Sequence, residues 1–211
     1  MIIGILKEPA GENRVAMLPE QLASLVKQGI QVMVEEDAGA RAFANNELYI
    51  AAGARMVNRN TLLTSATILL SYWSISAEDL AKTQPGAILV GVFQPLFNFQ
   101  LMKEWASKGF SIFSLDMIPR TTRAQSMDVL SSQANIAGYK AVLKAADLLP
   151  RYFPMFMTAA GSIPPAKLMV LGAGVAGLQA IATAKRLGAV VEVSDTRAAV
   201  KEEVMSLGAK F

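Results

Sequence analysis

The sequence predicts an α/β protein. A flavodoxin- or Rossmann-like parallel sheet forms its N-terminal domain, and a long helix joins it to the start of a second, truncated Rossmann domain. Three observations predict this. Short aliphatic runs alternate with helical segments over residues 2–115, the order that puts parallel strands in one sheet with helices on its faces. Residues 133–149 place Ala134, Ile136, Ala137, Ala141, Val142 and Ala145 at helical spacing. Residues 167–195 then run apolar strand, glycine-rich turn, alanine-rich helix, strand and acid, which is one βαβ unit.

In chain order, residues 2–6 form a buried strand, and residues 7–13, polar with Pro9 and Gly11, form a loop. Pro19 opens a helix over residues 20–28 that Gly29 closes, and residues 30–35 supply the second strand. A weaker helix over residues 46–52 ends at Gly53, followed by a short extended piece at 54–57 and a helical turn after Asn58. Residues 67–73 are a third strong strand. Residues 76–82 are a short helix that Ser76 caps, with Asp79 at its third position. Residues 87–93 form a fourth strand, 99–108 a helix closed by Gly109, and 110–115 a fifth strand. Residues 116–132 read as polar and irregular. Pro150 ends the long helix, and residues 151–165, with Pro154, Gly161, Pro164 and Pro165, read as a connection. The expected division is an α/β domain over 1–132, a connecting helix and linker over 133–165, and the first βαβα part of a Rossmann domain over 166–211. Trp73 and Trp105 are expected in the core, and Met155, Met157 and Met169 as adaptable packing near the domain junction.

Composition narrows the chemistry. The chain has 211 residues, 53% hydrophobic and 18% charged, enough for one large or two small well-buried domains. It contains no cysteine and no histidine, which removes thiol chemistry, disulfides and imidazole bases, and no metal site is expected. A net charge of +3 without a basic block argues against nucleic acid and membrane-surface partners. The apolar run at the N-terminus is too short for a signal peptide or a membrane span, so a cytoplasmic or organelle-matrix location without direct membrane insertion is expected.

In the βαβ unit each glycine has its own task. Gly172 allows the tight turn, Gly174 leaves no Cβ between backbone and a pyrophosphate, and Gly177 lets the helix lie against the strand. Val175 and Ala176 then open a helix whose free N–H groups attract phosphate. Asp195 stands at the spacing where a carboxylate accepts hydrogen bonds from ribose hydroxyls and repels a 2′-phosphate, favouring NAD over NADP. It also stands before a helical stretch at 198–207 that it can cap, while the adjacent Arg197 is able to receive a 2′-phosphate.

The second candidate is residues 120–131, Arg120-Thr121-Thr122-Arg123-Ala-Gln125-Ser126-Met127-Asp128-Val-Leu-Ser131, which follow a strand end, where open α/β sheets bind ligands. Two arginines, a glutamine, an acid and a hydroxyl can grip an amide or a sugar. On the residues alone the ordinary reading is a solvated loop with internal ion pairs.

From end to end the chain resembles the NAD(H)-binding components of proton-translocating nicotinamide nucleotide transhydrogenases, relatives of alanine dehydrogenase. The resemblance is carried by Lys7-Glu8 with Glu12-Asn-Arg14-Val-Ala, by Pro119-Arg120 through Ser131-Ser-Gln133, by Ala137-Gly138-Tyr139, by Met157-Thr158-Ala-Ala-Gly161, and by the run from Gly174 to Ala189. It implies that Arg120, Gln125, Asp128 and Ser131 hold the nicotinamide end of NAD(H), with Gln125 approaching a second nucleotide. The loop from Arg120 through Thr121, Thr122, Arg123, Ser126 and Met127 frames that end. It also implies that Val175 lies on the pyrophosphate and that Asp195, Thr196 and Arg197 meet the adenosine ribose. The implied partners are a second copy in a homodimer, an NADP(H)-binding subunit and a membrane proton-channel subunit, which makes the chain peripheral to the inner membrane. Direct hydride transfer between nicotinamides moves no proton in the chemical step, so a site without His or Cys suits it.

Two departures from the family pattern stand out. Ser71 occupies a position where the family carries a lysine that contacts the keto acid in alanine dehydrogenases, which argues against that activity. The chain also stops at Phe211, where the family's dinucleotide domain continues and later returns to complete the first domain. The alternatives are an alanine dehydrogenase-like enzyme and a non-catalytic fragment that dimerises or binds partner subunits. Lys7 and Arg14 read either as carboxylate anchors or, for Arg14, as a partner of Glu12 or Glu8.

Overall fold

The computed structural model describes residues 1–211. Two compact units, Met1–Met127 and Asp128–Phe211, make up the chain. In the first, β1 (Ile2–Ile5), β2 (Gln31–Glu35), β3 (Arg55–Val57), β4 (Ile68–Leu70), β5 (Ile88–Gly91) and β6 (Ser111–Ser114) form one sheet in the order β3-β2-β1-β4-β5-β6. Every pairing is parallel. This order is the Rossmann one, with the chain reversing direction across the sheet between β1 and β4. The piece at 54–57, read from sequence only as extended, is thus a sheet strand. Helices α1 (Pro19–Lys27), α2 (Asn46–Ala51), α3 (Arg59–Ser65), α4 (Ala77–Lys82) and α5 (Phe99–Ser107) cover the two faces.

The period-two alternation of strands sorts the core into two layers. Ile3, Ile5, Val32 and Val34 pack with Leu22 of α1 and Tyr49 of α2. Leu6, Met33, Leu69 and Leu89 pack with Leu62 and Leu63 of α3, Leu80 of α4 and Trp105 of α5. The expected caps at Ser76 and Gly29 form, and Asn58 supplies a further one. Ser76 Oγ accepts from Asp79 N at 3.1 Å, Asn58 Oδ1 accepts from Thr61 N at 2.9 Å, and Gly29 donates to Val26 O beyond the end of α1 at 2.9 Å.

In the second unit α6 (Val129–Leu148) packs against α7 (Val175–Arg186), which follows β9 (Lys167–Leu171). β10 (Val190–Ser194) pairs with β9 in parallel, and α8 (Lys201–Ser206) ends the helical series. Lys210 forms an isolated parallel bridge to Glu192 of β10. Val142, Phe153, Val170, Ile181, Val191, Val193 and Val204 form the core of this unit.

Several expectations are corrected. The long helix begins at Val129, not Gln133, because the Asp128 side chain caps it by accepting from Ser131 N at 2.9 Å. Residues 116–132 are accordingly not irregular: 3₁₀ turns at Leu115–Met117 and Thr122–Met127 precede the helix. The connection at 151–165 contains an antiparallel hairpin, β7 (Phe156–Thr158) and β8 (Gly161–Ile163), whose flanking Pro154 and Pro164 bracket the ladder without interrupting it. The hairpin strands are exposed, and the flanking Phe153 and Ala166 pack into the core of the second unit. Trp105 is buried as expected, but Trp73 is exposed, because β4 stops at Leu70 and the N–H groups of Tyr72 and Trp73 turn to the Glu8 carboxylate. Met155, Met157 and Met169 are exposed as well; on β9 the alternation that buries Val170 turns Met169 to the opposite face.

Candidate functional site

In the second unit the site is built around the end of β9. Gly172 adopts φ 95°, a left-handed turn that side chains disfavour, and delivers the chain to Gly174 at the N-cap of α7. Leu178 N donates to Gly174 O at 2.8 Å, so the N–H groups of Val175, Ala176 and Gly177 precede the first intrahelical bond. A Cβ on Gly177 would stand 1.9 Å from Gly172 O, whereas a Cβ on Gly174 would meet nothing within 4 Å. The two glycines therefore differ. Gly177 is required by the fold, and the open space at Gly174 fits a ligand brought against the backbone. This cradle, with donors and a helix dipole facing it, suits the pyrophosphate of a dinucleotide.

Asp195 follows β10 directly and reaches across to the turn. Its Oδ2 accepts from Ala173 N at 2.7 Å and from Arg197 Nη2 at 3.0 Å; its Oδ1 accepts from Arg197 N at 2.8 Å and Nε at 3.1 Å. The Arg197 guanidinium, aided by the two backbone N–H groups, holds the carboxyl well below the usual carboxylate range. Asp195 caps no helix, contrary to the sequence-based alternative. The following 3₁₀ turn, Ala198–Val200, starts after Arg197 and has no side-chain cap. Thr196 is exposed beside it.

One feature went unseen in the sequence. A Cβ on Gly138 of α6 would lie 2.1 Å from Ala176 O, so the long helix lies directly against the first turn of α7. A lone glycine in an alanine-rich helix was the available signal.

The loop after β6 is held differently. Ala124 is buried and its N–H donates to Thr121 O at 2.9 Å, while Arg120, Thr121, Thr122, Arg123, Gln125, Ser126 and Met127 are exposed. Neither Arg120 nor Arg123 enters an ion pair, which corrects the expectation of internal pairs. Asp128 and Ser131 come together, Ser131 Oγ donating to Asp128 Oδ2 at 2.7 Å. The division between the compact units falls at Met127, inside this loop.

The first unit has a crevice of its own where β1 and β4 diverge. Arg14 closes its fork on Glu12, at 2.8 Å from Nε and 2.6 Å from Nη2, and stands 3.6 Å over the Tyr72 ring. Trp73 Nε1 donates to Glu12 at 2.8 Å, and the Arg14 bonds lower the Glu12 carboxyl to about 2. Pro9, Ala10, Gly11, Glu12 and Trp73 line a cavity of about 210 Å³. Glu8, 6% exposed, accepts from Tyr72 N at 2.6 Å and Trp73 N at 3.2 Å; burial raises its pKa against the pull of these bonds. Ser71, also buried, donates to Trp73 O at 2.8 Å. Lys7 takes part in a separate network: its N–H donates to Glu35, which Arg59 joins to Asp79.

Comparison with known proteins agrees along the whole chain. Residues 4–137 match the alanine dehydrogenase/PNT N-terminal domain, and residues 141–211 match the C-terminal domain of the same family. The first part of NAD(P) transhydrogenase subunit alpha from Rhodospirillum rubrum is 44% identical over 220 residues, covering 100% of this chain and 57% of that protein. Its counterpart in Rickettsia prowazekii is 43% identical over 215 residues, covering 100% and 56%. The crystal structure of transhydrogenase from Sinorhizobium meliloti superposes with a TM-score of 0.96 at 46% identity, covering 100% of this chain and 61% of that one. The chain thus spans little more than half the length of the curated relatives it matches.

Proposed function

The chain belongs to the alanine dehydrogenase/PNT family, and on that premise we propose that it is the NAD(H)-binding component of a proton-translocating transhydrogenase. In this reading hydride passes between NAD(H) on this subunit and NADP(H) on a partner domain, and a membrane subunit couples the transfer to proton movement. The observation that carries it is the 2.7 Å bond from Ala173 N to Asp195, which fixes a ribose-binding acid to the glycine-rich turn as one preorganised piece. Gly172, Gly174, Val175, Ala176 and Gly177 would hold the pyrophosphate, and Asp195 would accept from the hydroxyls of the adenosine ribose, with Thr196 and Arg197 adjoining it. Arg120, Gln125, Asp128 and Ser131 would hold the nicotinamide, with Thr121, Thr122, Arg123, Ser126 and Met127 framing it. The exposed side chains of this loop support that assignment. The bound cofactor supplies the hydride. The protein's share is to position the ring and exclude water, for which polar groups without acid–base function suffice. Asp195 favours NAD over NADP through its charge.

The transhydrogenase subunit names of the two relatives support partner subunits; a homodimer peripheral to the membrane completes the reading. No helix is long and apolar enough to cross a membrane. The alanine dehydrogenase alternative is disfavoured by Ser71, which is buried and bonded to Trp73 O, and by Arg14, whose fork Glu12 already occupies.

The test is a titration of the chain with NADH, read by nicotinamide fluorescence, followed by stopped-flow transfer to an NADP analogue on the partner subunit. Saturable binding and transfer are expected. No binding would favour a non-catalytic partner-binding role, and reduction of pyruvate with ammonia would favour the amino-acid dehydrogenase. Changing Gln125→Asn should slow transfer more than it weakens binding; equal losses would remove Gln125 from ring alignment.

A further inference from the structure

Asp195 has no acceptor capacity to spare. A carboxylate offers about four lone-pair positions, and four donors fill them here: Ala173 N and Arg197 Nη2 on Oδ2, Arg197 N and Nε on Oδ1. Two of these donors are backbone groups set by the turn and by the end of β10. The other two belong to one side chain, 59% exposed, and deliver one N–H to each oxygen. Two donors side by side, one per oxygen, is also how a vicinal diol meets a carboxylate. We infer that the Arg197 guanidinium occupies on Asp195 the place of the 2′- and 3′-hydroxyls of an adenosine ribose, so that nucleotide binding exchanges one bidentate donor pair for another.

This rests on the dinucleotide reading of the second unit and deepens it, making Arg197 an internal competitor that lowers affinity. The exchange leaves both backbone bonds in place, so the turn keeps its shape while the arginine swings away. An exposed ion pair is weak and screened by salt. The penalty is therefore small and fades as ionic strength rises.

The experiment compares the full chain with its Arg197→Met variant, titrated calorimetrically with ADP-ribose at low and at high salt. Removal of the competitor should tighten binding about two- to fivefold at low salt, with the difference closing at high salt. Equal or weaker binding by the variant overturns the exchange and leaves the dinucleotide reading standing, whereas no binding by either protein overturns that reading itself. A second measurement needs no variant. The ¹⁵Nε–H resonance of Arg197 should move on saturation with ADP-ribose, and an unmoved resonance at saturation overturns the exchange.

Discussion

β1 and β9 are equivalent strands, each opening a parallel sheet and each followed by a turn at its C-terminal end, yet the two turns are built from opposite materials. After β9 the chain presents glycines, bare N–H groups and a helix N-terminus. After β1 it presents Glu8 and Glu12, one buried against the N–H groups of Tyr72 and Trp73, the other closed on Arg14. A phosphate brought to the turn after β9 meets donors; brought to the turn after β1, it meets carboxylates that have already taken the local donors. The turn after β9 thus suits nucleotide chemistry and the turn after β1 internal bracing, which is why function has to be argued from the turn and not from the fold.

The largest effect that would sharpen this contrast is at Gly177. Gly177→Ala forces a methyl group into Gly172 O and should destabilise the second unit by about 2–4 kcal/mol, while Gly174→Ala, with open space around it, should leave stability unchanged and weaken NADH binding. Urea unfolding monitored alongside NADH titration checks both; equal destabilisation by the two would erase the distinction between fold glycine and ligand glycine. Next comes Glu8→Ala, which strips the acceptor from two backbone N–H groups and should cost about 2–3 kcal/mol in the first unit, measured by urea unfolding. A loss below experimental error would mean that the turn after β1 is not braced by its acid. Asp195→Asn should weaken NADH binding about tenfold with little change in stability, and unchanged affinity by calorimetry would detach the acid from the ribose.

The smallest effect is on pH dependence, where the two acids of the turn after β1 differ in sign. Glu12 lies at about 2 in the folded chain, below its usual value of 4.5, so its contribution is present above that value and is lost as pH falls toward 2. Glu8 is raised by burial, so it opposes folding as pH rises through its window above 4.5. Unfolding of Glu12→Gln against the parent chain should therefore converge as pH falls from 5 toward 2. Curves that stay parallel would leave the Arg14–Glu12 pair without a role in stability.

How much was legible follows from how each feature is encoded. The glycine-rich turn, Asp195 and the caps at Ser76 and Gly29 depend on contacts a few residues apart or on fixed spacing, and local pattern carries them. The start of α6 lies four residues before the expected one although its signal, Asp128 followed three residues later by Ser131, is also local. The loop at Arg120–Met127 was visible only as a set of residue types, and their exposure is a property of the folded chain.

By itself the sequence determined the α/β class, the alternation of elements, the glycine-rich unit and the absence of thiol and imidazole chemistry, because hydrophobic period and turn chemistry are written locally. Tertiary structure alone decided that the sheet order is β3-β2-β1-β4-β5-β6, that Arg14 chooses Glu12 over Glu8, and that Trp73 leaves the core. It also decided that Gly138 carries a helix crossing and that Arg197 fills the carboxylate of Asp195. Each of these depends on which distant groups compete for the same space or the same lone pair, and that competition is resolved only when the chain is packed.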